Sequence, residues 1–344
     1  MLKINETPVR TSRNFNINNV KLEDINIPDN IGLFNNVQII GETSNIKVDN
    51  KLTYGLGNFL EEQVRNNYNQ KICFEIDKED KQVDFKYDKE NLNLVDNIQI
   101  VAKENSNATI TIKYESEKDV SCYHNSIIDV VANENAKLDI IIVNLINDLS
   151  YNFIAIQNVL KENANVTYTI IDFGGKISIT NYYSNLLGRT SKNDINTIYL
   201  GKEDDLLDLN YIAELRGEKS DVNIEVQGAL KDKARKHFKG TIDFKKGCKK
   251  AKGNENESCM LLSDTSKSLA LPMLLCSEED VEGNHSTSSG KIGNKELFYI
   301  MSRGFSKQEA MKLLVRAKFN NILENIKDEE LKNQVLEELE RRMD

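Results

Sequence analysis

The sequence has no tryptophan, only 3 prolines and only 3 histidines in 344 residues. It has no uninterrupted apolar run of 18 or more residues, which excludes a membrane-spanning helix of ordinary length. The opening Met1-Leu2-Lys3-Ile4-Asn5-Glu6 lacks the apolar core of a signal peptide, so no membrane partner and no export are expected. The 5 cysteines (Cys73, Cys122, Cys248, Cys259, Cys276) are odd in number, widely spaced and without a Cys-x-x-Cys pair. That pattern speaks against a disulfide framework and for reduced thiols in a cytoplasm. A net charge of -9 leaves no broad basic face for a phosphate backbone. The locally basic tract from Lys231 to Lys252 is broken by Asp232 and Asp243 and reads as a solvated face, so nucleic acid is not an expected partner.

What is present fits a folded chain with a sizeable core: 39% hydrophobic and 29% charged residues. Residues 1–65 read as a lead-in, with an extended Pro8-Val9-Arg10-Thr11, a turn at Pro28-Asp29-Asn30 and a short helix between Leu52 and Val64. From about residue 70 the texture changes to β-branched runs between polar turns. Ile98-Gln99-Ile100-Val101, Ala108-Thr109-Ile110-Thr111-Ile112, Ile140-Ile141-Ile142-Val143 and Val166-Thr167-Tyr168-Thr169-Ile170-Ile171 are strand candidates. No helical period of useful length separates them, which argues against a doubly wound α/β fold.

An internal repeat sharpens this reading. Asn107-Ala108, Asn135-Ala136 and Asn163-Ala164 recur 28 residues apart (135 − 107 and 163 − 135), each before a strand. A period of that size suits one coil of a β-helix and is too short for a propeller blade. A turn asparagine in the left-handed region and a buried alanine at the same point of successive coils explain the residue types. The expected core is a stacked β-solenoid over residues 66–290.

After Gly290 the period becomes helical, giving a region of 291–344. Ser306 and Glu309 form a capping box. Ala310, Leu313, Leu314 and Ala317, extended by Phe319, Ile322, Leu323 and Ile326, are spaced to make an apolar stripe. A second helix starts near Asp328. The pair either caps the solenoid and packs on its core or forms a docking surface.

Few motifs carry chemistry. Gly283 to Lys291 has six residues between its glycines, and Ile292 follows the lysine, so it is not a phosphate loop. Gly55-Leu56-Gly57-Asn58 is half of a dinucleotide fingerprint, and no nucleotide is expected on this chain. His285 stands between Asn284 and a run of Ser and Thr, where a histidine often serves as a hydrogen-bonded turn residue. Cys259 lies 26 residues earlier (285 − 259), about one coil, so thiol and imidazole could stack at the ~4.8 Å strand spacing. Such a pair suits soft-metal or iron–sulfur ligation. Cys276, in Leu274-Leu275-Cys276, reads equally as a buried small hydrophobe; His124 and His237 read as structural or exposed. A carbohydrate-active β-helix enzyme is the rival reading, weakened by the missing tryptophan.

Several short motifs then occur in order. They are Phe238-Lys239-Gly240-Thr241-Ile242, Met260-Leu261-Leu262-Ser263-Asp264, Leu271-Pro272, Glu279-Asp280-Val281-Glu282 and His285. Ser289-Gly290-Lys291-Ile292, Leu297-Phe298-Tyr299 and Ser302-Arg303-Gly304 follow. Together with Pro8-Val9-Arg10-Thr11 they resemble the SufB/SufD family of SUF iron–sulfur cluster assembly scaffolds. The resemblance implies a mainly β architecture, a right-handed parallel β-helix with a C-terminal helical domain, and no catalytic residues of its own. It further implies a SufC-like ABC ATPase held by the helical end, a SufB-like subunit or a second copy as β-helix partner, and a transient iron–sulfur cluster at that interface. Site residues follow: His285 and Cys259 for the cluster or its metal, and Phe298, Tyr299, Arg303, Gly304 and Phe319 for the ATPase. The SufB cysteine position falls on Ser258, the SufB glutamate after the histidine is Ser286, and the SufD cysteine two places before it is Gly283. The chain therefore looks more like SufD than SufB. A purely architectural partner of a SufB-like chain is the plainer alternative.

Overall fold

The computed structural model describes residues 2–11, 16–23, 25–46, 48 and 51–344. Three short strands open the chain, β1 (Leu2–Ile4), β2 (Val20–Leu22) and β3 (Val37–Ile40), followed by α1 (Asn58–Asn67). The helix expected between Leu52 and Val64 thus starts later. Gly57, at φ 129, has a backbone no helix contains, and it sits at the N-cap.

Sixteen strands follow, β4 (Gln70–Ile76) to β19 (Val281–Lys291), mostly 10 residues long. Even-numbered strands stack into an eight-stranded sheet ending at β18 (Lys267–Cys276). Odd-numbered strands stack into a second sheet ending at β19. All pairings from β4 onward are parallel and in register between coils, so two strands make one coil and eight coils make a parallel β-solenoid. β3 alone joins antiparallel, against β5 (Lys81–Tyr87). The space between the sheets is filled by Ile, Val, Leu, Phe and Tyr side chains that form one continuous buried cluster.

The repeat is real, but its first copy is two residues from where the sequence pattern put it. The left-handed residues at one corner are Asn105, Asn135, Asn163, Thr190, Lys219 and Lys250. Their spacing is uneven, shortest from Asn163 to Thr190 and longest from Lys219 to Lys250. Each is followed by a buried Ser or Ala: Ser106, Ala136, Ala164, Ser191, Ser220 and Ala251. Asn107, by contrast, sits inside β7 (Asn107–Ser116), opposite Lys137. At each corner the left-handed residue's N–H donates to a carbonyl of the next coil, as Asn105 does to Glu134 (3.0 Å) and Lys219 to Lys249 (2.8 Å). That bond offsets the ~1–2 kcal/mol a side chain costs in this conformation, so Thr and Lys are tolerated where Asn is preferred.

Both outer faces of the solenoid are clothed. Leu52, Leu56, Leu60, Val64 and the β1–β2 ladder cover Val95, Ile127, Phe153 and Ile179 of the even sheet. On the odd sheet, Ile141, Ile171, Phe173, Ile198 and Ala229 are covered by α3 (Lys307–Leu323) and α4 (Glu329–Met343). The capping box at Ser306 and Glu309 forms, and Asp328 caps α4 by accepting from the N–H groups of Glu330 and Leu331. The buried stripe of α3 is Ala310, Val315, Phe319, Ile322 and Leu323, whereas Leu313 and Ala317 face outward, contrary to the expected stripe. Arg342 anchors the end of α4, donating to the Ile146 carbonyl at 2.9 Å and to Glu338 at 2.8 Å. The helices lie along the flank, so they do not close the end of the solenoid.

Candidate functional site: the open last coil

With no helix across it, the solenoid ends in β18 and β19, each hydrogen-bonded on one side only. An edge of this kind presents free N–H and C=O groups to another chain. Every β19 residue but Val281 is exposed. Its outward-facing residues pair with the coil below: Asn284 to Asn254 (3.0 Å), Ser286 to Asn256 (2.8 Å) and Ser288 to Ser258 (3.2 Å). The alternation of a strand therefore turns Gly283, His285, Thr287 and Ser289 toward the axis of the solenoid. Across from them β18 contributes Ser268, Ala270, Pro272 and Leu274, in register with the inward Lys236, Phe238, Gly240 and Ile242 of β16 (Arg235–Phe244). On the β19 side small and polar side chains (Gly283, His285, Thr287, Ser289) line the open end, while Ala270, Pro272 and Leu274 of β18 face them, so the end of the molecule is a shallow cup with one polar wall.

His285 lies on this cup, exposed. The register does not bring Cys259 to it. In β17 (Ala251–Leu261) the residue opposite His285 is Glu255, while Cys259 is opposite Ser289. Four residues along a strand is ~13 Å, so the stacked thiol–imidazole pair expected from the sequence separation does not form. The coil that runs from Glu255 to His285 is longer than the separation of Cys259 from His285 allowed for. Cys259 is buried in the interior, and burial pushes its thiol up from the ordinary value. Cys276, read as a buried hydrophobe, is exposed at the corner and donates to the Glu278 carbonyl.

Beneath the cup the interior turns polar. Lys236, Glu255 and Glu257 are 0%, 2% and 1% exposed. Lys236 and the Tyr199 hydroxyl both donate to Glu257 Oε1, at 2.7 and 3.0 Å. Glu255 has no such anchor, and neither carboxyl oxygen has a hydrogen-bond partner. Burial, helped by the charge of Glu257, pushes its carboxyl up to about 8. Its head occupies the space a side chain at Gly240 would need, since a Cβ there would lie 2.2 Å from Oε2. The basic tract is accordingly not a solvated face throughout. Lys236 points inward, and Lys239 is buried against Asp208 at 2.6 Å beneath the N-terminal segment. Its contact with the Asn5 carbonyl (2.8 Å) explains why the lead-in closes over it.

The other two histidines are structural. His124 is buried between Asn152 Oδ1 (2.7 Å) and Asp96 Oδ1 (2.8 Å), and His237 lies 3.3 Å from Asp208.

The second exposed feature is α2 (Asn294–Met301), which buries none of its residues. Phe298 and Tyr299 are 73% and 58% exposed, and Met301, Phe305 and Leu313 extend the apolar surface. Arg303 stacks on the Tyr299 ring at 5.0 Å and donates to its hydroxyl at 2.9 Å. Gly304, at φ 99, makes the turn out of the helix. Phe319 does not belong to this surface. It is fully buried, its ring 6.1 Å from Phe173, and fastens α3 to the odd sheet. Spacing alone did not separate the two faces of α3, because Leu313 and Ala317 put apolar residues on an outward face that otherwise carries Arg316, Asn320 and Asn321.

Among the described residues no three His, Cys, Asp or Glu side chains converge as a metal site. No helix among them is long and apolar enough to cross a membrane.

Comparison with known proteins places this architecture. A family model described as "SUF system FeS cluster assembly, SufBD core domain" matches residues 85–318. Iron–sulfur cluster assembly protein SufD of Bacillus subtilis is 24% identical over 252 residues, 73% of this chain and 58% of that protein. SufD of Escherichia coli is 24% identical over 241 residues, 70% and 57% of the two chains. An iron–sulfur cluster assembly SufBD family protein of Pyrococcus horikoshii is 30% identical over 167 residues, 48% and 36%. The chain thus spans less than six-tenths of the length of these relatives.

Proposed function

The chain belongs to the SufBD family of SUF-system iron–sulfur cluster assembly proteins, closer to SufD than to SufB, and from that premise we propose that it is a non-enzymatic scaffold subunit. It acts in the cytoplasm and binds no nucleotide itself. The open last coil carries this reading: a solenoid that clothes both flanks and leaves one polar, histidine-bearing end bare has kept that end for a partner chain. A SufB-like subunit or a second copy pairs there, with His285 at the interface where a transient cluster is built as cargo. Ligands from the partner complete the site.

A SufC-like ATPase docks on the apolar surface of α2, through Phe298, Tyr299 and Arg303, with Gly304 setting the direction of the following chain. Phe319 supports this surface from behind by fixing α3.

Anaerobic co-purification with the SufC-like ATPase tests the docking. Because α3 and α4 cover the odd sheet, deleting everything from Leu297 onward would expose its apolar flank. The double variant Phe298→Ala/Tyr299→Ala is the better probe. Expected is at least a tenfold loss of ATPase affinity with an unchanged melting temperature; full-strength binding by the variant would remove α2 from the interface. For the assembly site, His285→Ala that supports cluster formation as well as wild type would refute the role given to His285.

A further inference from the structure

Resting on the reading of His285 above, the geometry points to Glu255 as a second ligand for a first-row divalent cation, ferrous iron being the cargo form, held jointly with His285 at the floor of the cup. His285 and Glu255 are directly opposite in the β17–β19 register and face the same way. In-register residues on neighbouring strands are ~4.8 Å apart, a separation from which an imidazole and a carboxylate can both reach one ion at ~2.0–2.2 Å. The carboxyl is 98% buried (100 − 2) and both of its oxygens are without partners, a condition that native proteins rarely leave unexplained.

Two comparisons within the same strand single it out. Glu257, two residues on, is fastened by Lys236 and Tyr199 and lies opposite Thr287, so it has neither freedom nor a co-ligand. Cys259 is opposite Ser289. Glu255 alone has a metal-binding residue above it and no hydrogen bond to lose when it turns. Gly240 supplies the room in which it now rests, and any side chain there would collide with the carboxyl. The pair is a half-site: water or the partner subunit supplies the remaining ligands, in keeping with the absence of a third ligating side chain among the described residues.

The test is anaerobic titration of the full-length chain with Co²⁺ alone as an optical probe, repeated with Fe²⁺ in competition. Wild type, Glu255→Gln, Glu255→Leu and His285→Ala are compared, each first shown folded by its thermal melt. Expected is one bound ion per chain for wild type, with affinity reduced at least tenfold in all three variants and loss of the cobalt band. Wild-type affinity in both Glu255 variants with loss in His285→Ala would overturn the assignment of Glu255 while leaving His285 in place. Loss in the Glu255 variants with full binding by His285→Ala would overturn the joint site and the role of His285 together. No ion bound by wild type would also overturn it, without touching the pairing or ATPase-docking roles.

Discussion

The middle coils and the last coil share one backbone and differ in what they put inside. Between the sheets of the middle coils, Ile154, Ile156, Tyr168, Ile170, Tyr182 and Leu209 interdigitate at 5% exposure or less. In the last coil the corresponding places hold Gly283, His285, Thr287 and Ser289 on one side and Ala270, Pro272 and Leu274 on the other, and all of them are half-buried or exposed. The strand hydrogen bonds are equally regular in both. What separates a packed core from a binding surface is therefore the missing coil above, and a coil in that place gains little from bulky inward residues. The same contrast holds between the two faces of the C-terminal helices: Phe319 inward on the sheet, Phe298 outward into solvent.

The strongest challenge to this contrast is truncation of a packed residue. Phe319→Ala should destabilise the chain by about 3–5 kcal/mol, because it leaves a cavity against Phe173. Urea unfolding would show it as a lowered midpoint with an unchanged slope, and a change under ~1 kcal/mol would mean that α3 is not fastened there.

A second, intermediate effect probes the clothed flank by pH. Asp129, on the outer face of the even sheet, is 1% exposed, and burial pushes its carboxyl to about 7. In the unfolded chain it ionises near its ordinary ~3.9, so the folded state keeps a proton that the unfolded state releases. The contribution of this carboxyl to stability is thus full below ~4 and is lost as pH rises toward about 7, by ~1.4 kcal/mol per unit at most. Asp129→Asn should flatten that part of the stability–pH curve; melts at several pH values, compared with wild type, would reveal no difference if the carboxyl were hydrated.

The smallest effect belongs to the last coil. Thr287→Ala should change stability by no more than ~0.5 kcal/mol, as expected for an exposed position with no packing duty. A larger loss would mean that the cup is packed in the isolated chain and not kept for a partner.

Much of this was legible in the residues. Period-two runs bounded by polar turns give stacked strands, and the short step from Asn135 to Asn163 gives coils and not blades. The Ser306–Glu309 box and Asp328 marked the two long helices by local chemistry alone. The repeat was misread at its first copy because Asn107-Ala108 imitates the corner signature, while the true corner, Asn105-Ser106, carries serine in place of alanine. The wider rule, a left-handed residue before a small buried one, also covers Thr190-Ser191 and Lys219-Ser220, which an Asn-Ala search passes over.

What composition and spacing determined is the architecture, because hydrogen bonds between neighbouring coils and the alternation of side chains repeat locally and leave a period in the chain. Which residue sits above which was decided only by the folded coils. Coils of unequal length shift the register, and that shift put Glu255 where Cys259 was expected, beneath His285. Which end stays bare was likewise decided only in three dimensions. Two amphipathic helices serve equally well as a lid or as a flank until the apolar stripe of the odd sheet competes for them, and here that stripe, centred on Phe173, won.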